Sequence, residues 1–117
     1  MRRIFLAPPE ESVLRRMLEG ALREEIYESS PPEITKGEIE RKVEEMLGEL
    51  SYPQLIVLYR LGYILRVSWG IGRKVLLSEL IPYVKELKNP EDVDMSELAL
   101  RTILRMASEE IKKEGAA

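Results

Sequence analysis

The chain has no cysteine and no histidine. The first absence removes disulfides, thiolate metal sites and thiol catalysis, and the second removes the usual proton shuttle near neutral pH and the commonest transition-metal ligand. Side-chain amides are almost as scarce, with one asparagine and one glutamine against abundant Glu, Lys and Arg. This resembles the composition of heat-adapted (thermophile) proteins, in which deamidation and oxidation are avoided and ion pairs multiply. Acid is missing locally as well. No Asp or Glu lies between Glu49 and Glu79, although 21 of the 117 residues are acidic and about five would be expected there. The gap holds the most apolar run in the chain, Leu55 to Trp69, and its charges are all positive: Arg60, Arg66, Arg73 and Lys74. Such a stretch is the buried spine of a helical domain with basic ends, or a spine that also offers a basic surface to an anion.

No membrane or export segment is expected. A bilayer-crossing helix needs about 20 apolar residues, and Leu55 to Trp69 is shorter and interrupted by two arginines. The start, Met1 to Pro9, has a signal peptide's charge but too short an apolar region. A cytoplasmic protein follows as the default. With 44% hydrophobic and 33% charged residues and no repeat, residues 1–117 read as a single domain able to bury its own core.

Hydrophobic periodicity predicts helices throughout. Three starts carry a capping box flanked by an apolar staple: Thr35 with Glu38, Ser51 with Gln54, and Asp94 with Glu97. The first helix is expected from about Glu10 to Glu28 with Val13, Leu14, Met17, Leu18, Ala21 and Leu22 as its apolar face. The second runs from Lys36 to Glu49. The third, Tyr52 to about Trp69, is apolar nearly all round and is expected at the centre. The fourth, Arg73 to Lys88, contains Pro82, so it either kinks or begins near Ser78 with Arg73 to Leu77 extended. The fifth runs from Met95 to about Glu114. Its expected core side is Leu100, Ile103, Leu104, Ala107 and Ile111, with Arg101, Arg105, Ser108 and Lys112 opposite. The fold class is therefore all-α, a compact five-helix domain around a central apolar helix.

Chemistry is limited. The acidic pairs, such as Glu24 with Glu25 and Glu109 with Glu110, fall on helix surfaces beside Lys or Arg, whereas a glycosidase or metal site needs carboxylates converging in a cleft. No glycine-flanked serine elbow occurs. The chain reads as a non-enzyme with no cofactor and no metal. Two basic features remain. Gly70-Ile71-Gly72-Arg73-Lys74 is either a helix end with exposed cations or an anion site, in which glycine backbone, a following helix N-terminus and two cations meet a phosphate. The Arg101, Arg105, Ser108 and Lys112 stripe is either a solvated face or a recognition surface. Tyr52, Tyr59, Tyr63 and Arg66 form a third stripe, expected as core and rim rather than a base-stacking platform.

From Ser51 onward the order resembles helix-turn-helix and winged-helix DNA-binding domains. Ser51-Tyr52-Pro53-Gln54-Leu55-Ile56-Val57-Leu58 looks like their capped first helix, and Leu77-Ser78-Glu79-Leu80-Ile81-Pro82-Tyr83-Val84 like a short second helix opened by a serine cap. Leu100-Arg101-Thr102-Ile103-Leu104-Arg105-Met106 looks like the third. The resemblance covers residues 51–115 and lacks a wing. It implies that the last helix lies in a major groove with Arg101, Thr102 and Arg105 at bases or phosphates. Charge is uneven in a way that permits this: residues 1–50 carry −4, residues 51–90 +4 and residues 91–117 −3. The expected function is a nucleic-acid-associated, DNA-binding protein contacting phosphates through Arg73, Lys74, Arg101, Arg105 and Lys112. The alternative is a helical protein-interaction module or small subunit, whose first helix and Arg2-to-Leu6 arm dock on a protein partner or a second copy.

Overall fold

The structure, a computed structural model, describes residues 7–68 and 74–116. Those residues form five α-helices and no strand: α1 (Glu11–Ser29), α2 (Lys36–Leu47), α3 (Tyr52–Tyr63), α4 (Leu77–Lys85) and α5 (Met95–Ala116). A π turn over Ile64–Ser68 continues α3, and a 3-10 turn at Pro90–Asp92 precedes α5. No helix among the described residues is long and apolar enough to cross a membrane. The expected Gly70-to-Gly72 helix end and the Arg2-to-Leu6 arm lie outside them.

Local capping chemistry sets most of the helix starts. Ser51 Oγ accepts from the Gln54 N–H at 3.3 Å, and Gln54 Oε1 accepts from the Ser51 N–H at 2.8 Å, closing the capping box in both directions. The other two boxes close on one side. Thr35 Oγ1 accepts from the Glu38 N–H and Asp94 Oδ1 from the Glu97 N–H, both at 3.1 Å, while the Glu97 carboxylate turns to Arg101. Before α4, Leu76 is extended and the helix begins at Leu77. Of the two arrangements that Pro82 allowed, the late start is the one adopted. Leu76, not Ser78, is the residue before the first turn, and its N–H donates to the Glu79 carboxylate at 3.2 Å.

Cross-chain contacts give the helix directions. Arg15 near the start of α1 donates to the Leu47 and Leu50 carbonyls, and Arg23 further along pairs with Glu40, so α1 and α2 are antiparallel. The Tyr52 hydroxyl donates to the Pro9 carbonyl at 2.6 Å, and Arg66 reaches Glu25 at 2.9 Å, so α3 runs parallel to α1. On its other sides α3 lies against α4, the 3-10 turn and α5. Leu14, Leu22, Leu55, Leu58, Leu61, Leu65, Leu80 and Val84 are fully buried. The apolar composition of α3 follows from this crowding, since an unpaired carboxylate there would be costly to desolvate.

Two faces differ from expectation. On α1 the buried stripe is Leu14, Leu18, Leu22, Glu25 and Ile26, while Val13 and Met17 are exposed. On α5 the helix docks through Leu98, Ala99, Thr102 and Met106, with Met95 and Ile103 partly covered. The expected core residues Leu100, Leu104 and Ile111 are instead 54%, 60% and 68% exposed. Thr102 makes the alternative docking possible. Its hydroxyl donates to the Leu98 carbonyl at 2.8 Å, so a polar residue enters the core with its hydrogen bond satisfied within the helix. Beyond Met106 every residue from Ala107 to Gly115 is exposed, although Glu109, Glu110 and Lys113 still line an open groove with Glu79, Pro82 and Tyr83 of α4.

Candidate interaction surface

The first candidate was the basic loop ahead of α4. Arg73 lies outside the described residues. Lys74 is exposed and its Nζ pairs with Glu28 Oε2 at 3.0 Å, so its charge is met by α1. The helix N-terminus that an anion would occupy is filled from within the chain. Glu25 accepts from the Leu77 N–H at 2.7 Å and the Ser78 N–H at 3.2 Å, and Arg66 donates to the same carboxylate at 2.9 Å. Arg66 also donates to the Val75 carbonyl at 2.8 Å, which holds the segment entering α4. A carboxylate on the first N–H groups of a helix is the arrangement the macrodipole favours. The groove beside it is lined by Glu24, Glu25, Glu28, Arg66 and Lys74, so among the described residues carboxylates outnumber cations there.

Glu25 was read as one half of a solvated acidic pair; it is 8% exposed and is a structural cap. The signal was present in the helical period. Counting from Leu14 and Leu18, position 25 falls between them on the helical wheel, on the buried side of α1. Arg15 escaped notice in the same way, and it caps the α2 C-terminus through the Leu47 and Leu50 carbonyls at 2.8 and 2.9 Å.

The second candidate was the α5 stripe. Thr102 is buried and cannot face a ligand, which corrects the role the helix-turn-helix resemblance implied for it. Arg101, Arg105 and Lys112 are exposed. Arg101 pairs with Glu97 at 3.4 Å within the helix. Arg105 donates to both oxygens of Glu86 at 2.7 and 3.3 Å, and its guanidinium lies 4.5 Å above the Tyr83 ring. The Tyr83 hydroxyl in turn donates to Glu109 at 3.4 Å. Arg105 holds the Glu86 carboxyl below its ordinary value through this hydrogen bond, and Glu86 raises Arg105 reciprocally. Burial, followed by the negative charge of Glu109, pushes the Tyr83 phenol up.

Lys74 and Arg105 are not brought together. Lys74 precedes the first turn of α4, while Glu86, the partner of Arg105, follows its last turn. The nine-residue helix, about 13 Å long, lies between the two positions.

What α5 does present is apolar. Leu100, Leu104, Ala107 and Ile111 are all exposed, and their spacings of four, three and four residues are those of a coiled-coil seam. Along one edge of this seam runs the Arg101, Arg105, Ser108 and Lys112 stripe. Among the described residues no cluster of acidic side chains is placed to hold a metal ion. The tyrosine stripe on α3 lies at the rim rather than in the core: Tyr52 is half-buried and tied to Pro9, Tyr59 is half-buried, and Tyr63 is 40% exposed. No protein-family model, no curated protein and no solved structure matches the chain.

Two predictions follow from these charges. Replacing Glu25 by Gln leaves a donor facing Arg66 and two N–H groups, and is expected to cost about 2–4 kcal/mol. Glu28→Gln, which removes only an exposed pair, should barely move the denaturation midpoint. Equal effects of the two in urea melts would remove Glu25 from its capping role. For Glu86 the sign is that of a depressed carboxyl. The contribution of its pair with Arg105 is complete above the ordinary value of 4.5 and is lost as pH falls through the lower folded value. Carboxyl NMR should therefore place the Glu86 midpoint below 4.5 and return it upward in Arg105→Gln. A midpoint indifferent to that substitution would exclude the pair as the cause.

Proposed function

We propose that the chain is a non-enzymatic helical protein-interaction module, a small subunit that engages a protein partner through α5. One observation carries the reading: the residues of α5 with the strict four-three spacing of a helix-pairing seam are outside, while the helix holds the body by a different face. Scattered exposed leucines need no explanation, but a continuous seam on the outward face of a docked helix does. A covering partner supplies what the body does not.

Magnitudes indicate the kind of engagement. Covering the exposed parts of Leu100, Leu104 and Ile111 contributes roughly 1–2 kcal/mol each. The resulting 3–6 kcal/mol, roughly, corresponds to millimolar to tens of micromolar affinity before association costs. The seam alone therefore suits a transient contact or one contact among several in a larger complex.

Nucleic-acid binding is the second reading, favoured by the cationic edge of Arg101, Arg105 and Lys112 on the same exposed helix. Against it stand the separation of Lys74 from Arg105, the carboxylate partners of both, and the burial of Thr102. The link from α4 to α5 spans residues 86–94 and includes a 3-10 turn, longer than the three or four residues usual in a helix-turn-helix unit.

The readings separate by two measurements. Leu104→Gln should leave stability within about 0.5 kcal/mol, whereas Leu58→Ala, in the core, should cost about 2–5 kcal/mol. A comparable loss from Leu104→Gln would mean that this face packs inside the chain, and the interaction reading would fall. For the second reading, anisotropy with labelled duplex DNA should show affinity that drops steeply with salt and weakens on replacing Arg101, Arg105 and Lys112 by Ala. Absence of binding at low salt disposes of it.

A further inference from the structure

We infer that the partner accepted by α5 is an amphipathic helix with an acidic edge. The inference rests on the reading of α5 as the docking element and adds the chemistry of what covers it. In coiled-coil register Leu104 and Ile111 take one seam position, and Leu100 and Ala107 the other. Arg101 and Ser108 then flank the seam on one side, with Arg105 and Lys112 directly behind them. From Arg101 to Lys112 this edge carries three cations and no acid. The opposite flank holds the half-buried Ile103 and the exposed Glu110.

Charge placement disfavours a second copy of the chain. The seam positions just beyond the apolar run are Glu97 and Glu114. Pairing two α5 helices antiparallel, with Leu100 opposite Ile111, sets Glu97 against Glu114 at both ends and lays the cationic edge against itself. Pairing them parallel sets Glu97 against Glu97 and Glu114 against Glu114. Like charges across such a seam are destabilising in either orientation. A foreign helix with Glu or Asp along the edge meeting Arg101 and Lys112 reverses that sign.

The cations differ in how available they are. The Arg101–Glu97 pair is exposed on both sides and lies within one helix, and such pairs contribute only tenths of a kcal/mol. Arg101 is therefore readily exchanged to a new carboxylate. Arg105, held at both guanidinium ends by Glu86 and stacked on Tyr83, stays in place with its charge already met, so the field of the edge rests on Arg101 and Lys112. The apolar run from Leu100 to Ile111 rises about 17 Å, so it calls for a partner segment of about two heptads.

The test uses the full chain and two labelled synthetic helices of three heptads, both with Leu at the seam positions. One carries Glu at the flanking positions and the other Lys. Anisotropy titrations at low salt should show the Glu-edged peptide binding about tenfold tighter or more, with the preference collapsing toward unity near ~1 M salt. Leu104→Gln should weaken the Glu-edged peptide about tenfold, and Arg101→Glu with Lys112→Glu should reverse the preference. Equal or tighter binding of the Lys-edged peptide that still depends on Leu104 overturns the acidic-edge proposal and leaves α5 as the docking element. A dimer mass in light scattering that Leu104→Gln abolishes puts a second copy on the seam, with the same consequence. Binding of neither peptide overturns the proposal, and the stability of Leu104→Gln then decides separately whether α5 is a docking surface at all. DNA affinity that responds to the charge reversal but ignores Leu104→Gln assigns the edge to phosphate and also overturns it.

Discussion

One carboxylate joins three parts of this fold that are far apart in sequence. Glu25 on α1 receives the first N–H groups of α4 and the guanidinium of Arg66 at the π turn, across separations of 41 to 53 residues. Each partner needs it. The first turn of α4 has donors that its own helix cannot satisfy, and Leu76 has no side-chain acceptor to offer them. Arg66, anchored also to the Val75 carbonyl, fixes the direction in which the chain enters α4. The π turn belongs to the same arrangement. It widens the end of α3 where Ile64 and Leu65 are both buried in succession and Arg66 is delivered toward Glu25.

Arg15 performs the complementary task at the other end of α1, where its guanidinium closes the C-terminus of α2. A cation meets the carbonyl end of one helix and an anion the N–H end of another, as the helix dipole requires. The first helix thus organises its neighbours by charge as well as by its Leu14, Leu18 and Leu22 stripe. The same carboxylate takes up the α4 N–H groups that an outside anion would otherwise meet. A helix N-terminus already holding an internal carboxylate has little left to offer a phosphate.

Much of the helix layout was legible because it depends on near neighbours. The capping residues Thr35, Ser51 and Asp94 act over three residues, and all three accept the expected N–H. The faces were harder to read, for a physical reason. Periodicity finds an apolar stripe but not the element that covers it, and α5 has two usable stripes. The more hydrophobic one, through Leu104, was taken for the core, while the one that docks includes Thr102, whose polarity is hidden by its own Leu98 hydrogen bond. Glu25 was obscured similarly: a carboxylate on a buried stripe looks like an exception until its distant donors are known. Of the candidate cations, exposure was foreseeable for Arg101, Arg105 and Lys112. The Glu86 partner of Arg105 was not, whereas Glu97 sits one turn from Arg101.

The last turns of α5 are held differently from the first. Among the described side chains Met106 is the last buried one of the helix, and Gly115 stands about 13 Å beyond it. Over that distance Glu109 meets the Tyr83 hydroxyl, and Glu110 and Lys113 face α4 across an open groove. The seam is therefore fixed by apolar packing at its base and by polar contacts toward its tip. On the proposed reading, a partner meets Leu100 and Leu104 on the packed portion and Ile111 on the portion that polar contacts alone hold.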